Sequence, residues 1–206
     1  MHRRLSLVTC AAIIIAMAGL AFAQAPKAKP AAKAQGKAAA AAKPGTYAHF
    51  ETSMGNFTVR LWPDKAPQTV TNFIGLAEGT VDTITGRRGV KSKPFYNGLQ
   101  FHRVVPGFMI QGGRSAGYTI PDEFDPKFKF NRPGILAMAN AGNPHSASSQ
   151  FFITVAPYPS LNGKYTPFGE VTAGLDVVKK ISAVKRSGES PIEPVVIRTV
   201  RIEKVQ

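Results

Sequence analysis

The chain has 206 residues and a formal net charge of +14 at pH 7, with 26 Lys and Arg residues against 12 Asp and Glu residues. This length allows one domain with a substantial core and little more. The 44% hydrophobic content excludes a fully disordered chain and a multi-span membrane protein. The single cysteine excludes a disulfide scaffold and a Cys-rich zinc site.

Residues 1–23 have the pattern of a secretory signal peptide. Two arginines precede an apolar run from Leu5 to Leu20, and the run ends in the small-x-small sequence Ala21-Phe22-Ala23 before Gln24. Cleavage near Ala23/Gln24 predicts a periplasmic or secreted protein without stable membrane insertion. The alternative is an N-terminal membrane anchor, because an uncleaved run of this length could just span a bilayer.

Residues 24–45 predict a disordered linker. They include ten Ala, five Lys and three Pro, with no aromatic and no β-branched residue, so they have almost nothing to bury. A binding arm is the alternative, but like charges on a tail often only keep it extended. The remaining residues, 46–206, carry a net charge of +7 with their basic residues scattered. We therefore expect no nucleic acid partner, because nothing in this domain forms a basic stripe.

The predicted domain, residues 46–206, opens with strands. Two β-branched and aromatic runs, 47–53 and 57–62, are separated by Met54-Gly55-Asn56, which has the size and glycine content of a hairpin loop. A helix is predicted to begin around Pro67 and to end at Gly79. Its apolar stripe comprises Val70, Phe73, Ile74 and Ala77.

The rest of the domain alternates short strands with polar loops, beginning with a loop at 80–94. Short apolar runs predict strands within 95–113, interrupted at Pro106-Gly107, and at 135–138, 151–155 and 195–205. A second helix is predicted at about 173–183 from its one-sided apolar residues. Many short strands with only two helices predict a mainly β fold, an antiparallel barrel or sandwich.

Metal, nucleophilic and nucleotide chemistry have little support. The four histidines show no paired spacing, so we expect neither a metal site nor a cofactor. Residues 113–117 (GRSAG) fit a nucleophile elbow, but residues 118–121 (YTIP) cannot begin the helix that this elbow requires. No glycine-rich phosphate loop is present in the sequence.

Apolar side chains surround one arginine in a stretch of nine residues. Its apolar neighbours are Phe101, Val104, Val105, Phe108 and Met109, grouped around Arg103. A second apolar group, residues 150–153 (QFFI), follows the turn-rich segment 139–149. Core strands with one snorkelling arginine are the alternative on composition alone.

These strings resemble the signature of the cyclophilin-type peptidyl-prolyl cis-trans isomerases. The similarity comprises residues 101–113 (FHRVVPGFMIQGG) and, in the same order, 133–141 (PGILAMANA), 149–154 (SQFFIT) and 161–164 (LNGK) ending in 168–169 (FG). The resemblance spans roughly residues 47–204. It implies the closed eight-stranded antiparallel barrel of that family, capped by two α-helices, which agrees with the pattern above.

The resemblance also implies an activity and a site. The activity is the non-covalent rotation of X-Pro peptide bonds in proline-containing polypeptides, such as unfolded or folding exported proteins, by a monomer without a cofactor. Arg103 would donate a hydrogen bond to the twisting amide nitrogen, and Gln111 would orient Arg103 and bind the substrate backbone. The implied proline pocket and peptide-binding residues are Phe108, Met109, Ala139, Asn140, Gln150, Phe152, Leu161 and Tyr165.

Three positions depart from the family pattern. Tyr165 stands where many members have His, and Ser160 stands where many have the Trp that helps to bind the drug cyclosporin, which predicts weak inhibition by it. The Gly-rich stretch that usually follows the Gln-Gly-Gly string is shortened to residues 114–118, and Arg114 replaces a frequent Asp there.

Two further functions remain open on the sequence. One is a proline-peptide binding module or holdase that keeps the groove but catalyses little. The other is a nucleic-acid-associated protein, which rests on charge alone and predicts steeply salt-dependent binding. The complete arginine and apolar set favours the enzyme, because a pure binder has no need of a donor for the transition state.

Overall fold

The computed structural model describes residues 43–206. The predicted signal peptide, residues 1–23, and residues 24–42 of the predicted linker lie outside this range. The strands are β1 Gly45–Thr52, β2 Gly55–Leu61, β3 Arg103–Val105, β4 Met109–Gly112, β5 Ile135–Met138, β6 Phe151–Thr154, β7 Pro167–Ala173, β8 Arg186–Ser187, β9 Ser190–Pro191 and β10 Ile197–Val205. The helices are α1 Pro67–Glu78 and α2 Leu175–Ser182, with a short 3-10 turn at Pro159–Leu161.

The first hairpin and helix follow the sequence pattern. β1 and β2 pair in antiparallel register from Thr46 opposite Leu61 to Thr52 opposite Gly55. Helix α1 has Pro67 in its first turn and ends at Gly79, whose φ of 72° is the left-handed conformation that glycine adopts without strain. The predicted hairpin and the predicted limits of this helix are confirmed.

Eight strands form one antiparallel sheet in the order β10-β1-β2-β7-β5-β6-β4-β3. The predicted mainly β fold with eight antiparallel strands and two helices is confirmed, but a closed barrel is not. The sheet is an open, curled half-barrel whose last strands, β3 and β10, do not pair with each other. The chain just before β3 instead meets the start of β10, where the Phe101 N–H donates to the Val195 carbonyl at 2.9 Å and the Ile197 N–H to the Leu99 carbonyl at 2.7 Å.

The main core lies between the inner face of this sheet and the two helices. In β5, Leu136 and Met138 point into this core, whereas Ile135 and Ala137 belong to a separate apolar cluster on the other face. This alternation is what a strand covered on both sides requires. The two helices therefore cover the inner face of the sheet, and the outer face carries a second, separate apolar cluster.

Four elements differ from the sequence prediction: β3 begins later than expected, and the strands β7, β8 and β9 were not predicted. The first strand within 95–113 begins only at Arg103, because residues 96–99 form a turn closed by the Leu99 N–H and the Tyr96 carbonyl at 3.1 Å. β7 was not predicted, because its run PFGEVTA contains a central glycine and lacks alternation. A Cβ at Gly169 would lie 2.8 Å from the Arg60 carbonyl oxygen, so the close pairing of β7 with β2 requires glycine there.

Within residues 43–206 no helix has both the length and the apolarity needed to cross a membrane.

Candidate active site

The predicted site residues form a row across the outer face of the sheet. Arg103 pairs with Gln111 between β3 and β4, and Gln111 pairs with Phe152 between β4 and β6. Directly paired residues in an antiparallel sheet place their side chains on one face, about 4.5–5.5 Å apart at Cβ. The register therefore places the arginine, the glutamine and the phenylalanine side by side.

An apolar floor lies next to this row. Met109 and Phe152 are buried, with 1% and 5% of their surfaces exposed. The Phe152 ring stacks on Phe130, with centroids 6.0 Å apart, and meets the edge of Tyr165 at 5.2 Å. The half-buried side chains packed around this floor include Phe108, Ala139, Leu161 and Tyr165. The structure thus brings together every apolar residue of the predicted proline pocket.

The guanidinium of Arg103 is held at two edges. Its Nη1 donates to Gln111 Oε1 at 3.4 Å, while Nε and Nη2 donate to the two carboxylate oxygens of Glu189 at 2.5 and 3.1 Å. The hydrogen bond to Glu189 raises the pKa of Arg103 further above its usual value. Burial lowers the pKa of the adjacent His102. Arg103 is therefore the fixed cation on this row.

A chain of side-chain hydrogen bonds continues from Gln111 along the groove. Gln111 Nε2 donates to Gln150 Oε1 at 3.0 Å, and Gln150 Nε2 donates to Ser115 Oγ at 2.8 Å. These groups line a cavity of about 170 Å³ that also contacts Ala139 and Asn140. The cavity begins beside the arginine row, so it can receive the part of a peptide next to the bound proline.

The backbone at Asn140 is available to a peptide. The Ala139 N–H donates to the Gln150 carbonyl at 2.9 Å, which fixes the strand end. The Asn140 side chain donates to the Lys164 carbonyl at 2.9 Å and accepts from the Gly142 N–H. Within residues 43–206, however, the main-chain N–H and C=O of Asn140 bond to no other protein group. An extended segment could pair with both.

The positions that depart from the family pattern lie at the rim. Ser160 is exposed in the 3-10 turn beside Leu161, and Tyr165 packs edge-on against Phe152. The Arg114 guanidinium lies 4.7 Å from the centre of the Phe95 ring, whereas Ser115 lines the cavity. The strand before Arg114 is followed by irregular chain rather than a helix, which confirms that residues 113–117 form no nucleophile elbow.

Sequence reasoning missed Glu189. This residue lies in the turn between β8 and β9, 86 residues from Arg103 in the chain. No element was predicted for residues 186–191, and the contact of Glu189 with Arg103 on β3 depends on tertiary packing. Nothing in residues 43–206 groups three or more His, Cys, Asp or Glu side chains closely enough to hold a metal ion.

Comparison with known proteins gives one consistent family. Residues 47–202 match the family model described as "Cyclophilin type peptidyl-prolyl cis-trans isomerase/CLD". The chain is 46% identical over 166 residues to "Peptidyl-prolyl cis-trans isomerase A" of Mycobacterium tuberculosis, covering 75% of this chain and 91% of that protein. It is 45% identical over 169 residues to "Peptidyl-prolyl cis-trans isomerase B" of Streptomyces anulatus, covering 76% of this chain and 96% of that protein.

A solved structure shares the fold. The crystal structure of a cyclophilin-type peptidyl-prolyl cis-trans isomerase from Cryptosporidium parvum aligns with a TM-score of 0.68 and 26% identity, over 78% of this chain and 99% of that one. Both the sequence family and the fold therefore agree with the row of arginine, glutamine and apolar side chains. The chain belongs to the cyclophilin-type peptidyl-prolyl cis-trans isomerase family and is an isomerase of that type.

Proposed function

We propose that Arg103 catalyses rotation of X-Pro bonds by donating a hydrogen bond to the amide nitrogen of the substrate. As the amide twists, the nitrogen loses its conjugation and becomes a better acceptor than it is in either planar form. A donor fixed at that point stabilises the transition state more than the ground states. The guanidinium suits this role because it is always charged and rigid.

The energy required is modest. The barrier to rotation is about 18–20 kcal/mol, and the uncatalysed X-Pro bond turns in tens to hundreds of seconds. Reaching on the order of 10 turnovers per second requires about 3–4 kcal/mol of selective stabilisation. One charge-assisted hydrogen bond together with a fixed proline ring is enough, so no covalent step is needed.

The apolar cluster on the outer face of the sheet would bind the proline ring. Met109 and Phe152 would form the floor under the ring, with Phe108, Leu161 and Tyr165 around it, while the peptide pairs with the backbone at Asn140. A related C. parvum cyclophilin structure, which aligns with a TM-score of 0.67, is described as determined in the presence of the dipeptide Ala-Pro. Proline-containing polypeptides are accordingly the substrates proposed for this chain.

One observation carries the assignment. The strand register places Arg103 and Gln111 in the same row as Phe152, so the donor and the proline floor face the same side of the sheet. A binding module would need the floor but not an oriented cation beside it.

The N-terminal pattern supports export. The charged start, the apolar run and the small-x-small site of residues 1–23 favour secretion into the periplasm or medium, where the enzyme would act as a monomer on exported proteins while they fold. X-Pro isomerisation is slow enough to be a rate-limiting step in folding, so exported chains that contain prolines would be substrates for an exported isomerase.

The test is Arg103→Ala in the full chain, assayed by NMR exchange on an Ala-Pro peptide. We expect kcat/KM to fall by about two decades, because the transition-state donor is lost while the apolar floor remains. Arg132→Ala is the matched control, since Arg132 is also an exposed arginine paired with one glutamate, Glu170.

The control should stay within twofold of wild type, and both variants should keep the wild-type circular dichroism spectrum. Arg103→Ala activity within twofold of wild type would refute the proposed mechanism.

A further inference from the structure

The guanidinium of Arg103 has five N–H groups, and Glu189 takes two of them. The Nε–H and one Nη2–H point to the carboxylate of Glu189, at 2.5 and 3.1 Å, in the side-on geometry that gives a bidentate pair. Gln111 takes one Nη1–H at 3.4 Å. Two N–H groups, one on each terminal nitrogen, remain for a substrate.

Glu189 is itself fixed by the backbone. It occupies the second position of a two-residue turn, after Gly188 with φ of 59°, and the flanking residues Ser187 and Ser190 pair with each other. The Val104 N–H donates to the Glu189 carbonyl at 2.7 Å. The turn is thus hydrogen-bonded to the residue that follows Arg103. This bond fixes the distance between the backbones that carry the carboxylate and the guanidinium.

Gln111 alone restrains the guanidinium weakly. A single hydrogen bond of 3.4 Å is near the upper limit for such a contact. An arginine side chain has several rotatable bonds, and 39% of the Arg103 side chain is exposed. The bidentate carboxylate fixes the plane of the guanidinium, which one long hydrogen bond cannot do.

We infer that Glu189 is a positioning residue for catalysis, which holds the Arg103 guanidinium in the plane from which its free N–H groups reach the amide nitrogen. This inference rests on the proposed role of Arg103. In the structure Glu189 binds the Nε and Nη2 edge of the guanidinium, whereas Gln111 binds Nη1. The carboxylate therefore orients the hydrogen-bond donor of Arg103 and donates no hydrogen bond of its own.

The Arg103–Glu189 pair orients the guanidinium and contributes little to the stability of the fold. Exposed salt bridges contribute little to folding free energy, and 53% of the Glu189 side chain is exposed. Removal of the carboxylate should therefore leave the fold intact. Pre-organised donors lose much of their effect when they must be reoriented during the reaction, so the loss should appear in kcat.

The experiment compares Glu189→Gln and Glu189→Ala with wild type in the full chain, by NMR exchange on an Ala-Pro peptide. We expect kcat to fall about three- to tenfold, most in Glu189→Ala, with KM within twofold, because the proposed role of Glu189 is to orient Arg103 rather than to bind the peptide. The matched control is Glu170→Gln, which removes the carboxylate that pairs with Arg132, a second arginine–glutamate pair at the surface, and should leave kcat unchanged.

The pH profile gives a readout that a structural role would not move. The hydrogen bond from Arg103 lowers the pKa of Glu189 below its ordinary value of 4.5, and Arg186 also lowers it. Glu189 thus stays ionised at neutral pH and is protonated only as the pH falls through this lowered value. Wild-type kcat should fall toward the Glu189→Gln level on that acid limb, and the Glu189→Gln profile should lack it.

The outcomes separate this inference from the proposed function. If Arg103→Ala is inactive but both Glu189 variants match or exceed wild-type kcat, the positioning role is wrong and the catalytic arginine stands. If Arg103→Ala is as active as wild type, the catalytic assignment itself fails. Loss of kcat in Glu170→Gln equal to that in Glu189→Gln would also overturn the inference, since any broken surface pair would then suffice.

Discussion

At the scale of single residues, Ser160 distinguishes the rim of the proposed proline site. It is exposed in the Pro159–Leu161 turn, next to Leu161, which packs against the outer apolar cluster. Many family members have Trp here, and that side chain helps to bind cyclosporin. The serine at this position offers a small polar group in place of that aromatic side chain.

We expect cyclosporin to inhibit the wild-type enzyme weakly and Ser160→Trp to be inhibited at least about tenfold more strongly. A buried aromatic anchor commonly contributes more than the roughly 1.4 kcal/mol that a tenfold change requires. Inhibition constants measured on the same peptide check this, with Ser160→Ala as the control that should not differ from wild type. Nanomolar inhibition of the wild-type enzyme would contradict the prediction.

The sequence predicted these residues unevenly. The apolar grouping around Arg103 was visible in the sequence, because strands β3 and β4 are adjacent in the chain and the cluster is local. The roles of Gln150, Leu161 and Tyr165 came only from the family resemblance. Glu189 could not be predicted, because its contact with Arg103 depends on where the β8–β9 turn folds against β3.

At the scale of elements, helix α1 takes its N-terminal cap from a distant loop. The residue before it, Ala66, offers no side-chain cap. Instead the two carboxylate oxygens of Glu123 accept from the Gln68 N–H at 3.0 Å and the Thr69 N–H at 2.8 Å. The negative charge also faces the positive end of the helix dipole. The sequence predicted the helix from its stripe but gave no sign of this cap, 54 residues away.

Glu123→Ala should reduce the free energy of unfolding by about 1 kcal/mol, the usual effect of losing an N-cap. Urea unfolding followed by circular dichroism measures it, and the exposed Glu193→Ala serves as the control. Isomerase activity should stay within twofold of wild type. Equal midpoints for the two variants would show that Glu123 does not stabilise α1.

At the scale of the whole molecule, charge is unevenly divided. Residues 46–206 carry +7 of the total +14, and the other half lies in the first 45 residues. The net charge of the whole chain therefore comes in equal parts from the N-terminal segment and from the isomerase domain. Composition and pattern predicted a mainly β domain with two helices, whereas closure of the barrel depends on how β3 and β10 meet, which the residue pattern does not encode.

Expression of the full chain in a secreting bacterial host should yield a mature protein that begins at Gln24, since the small-x-small site precedes it. Mass spectrometry of the periplasmic or extracellular fraction measures the cleavage. Ala21→Arg with Ala23→Arg is the control, because charged residues there should block cleavage. An uncleaved wild-type chain in the membrane fraction would instead support the N-terminal anchor.

The outer cluster has a consequence for the length of chain that the enzyme can accept. Met109, Phe152 and their neighbours lie on the face of the sheet opposite the main core. In the proposed binding mode a polypeptide would cross the outside of the protein there, and neither of its ends would have to thread through an opening. Prolines far from either terminus would then be as accessible as those in a dipeptide, so the proposed site sets no limit on the length of the substrate chain.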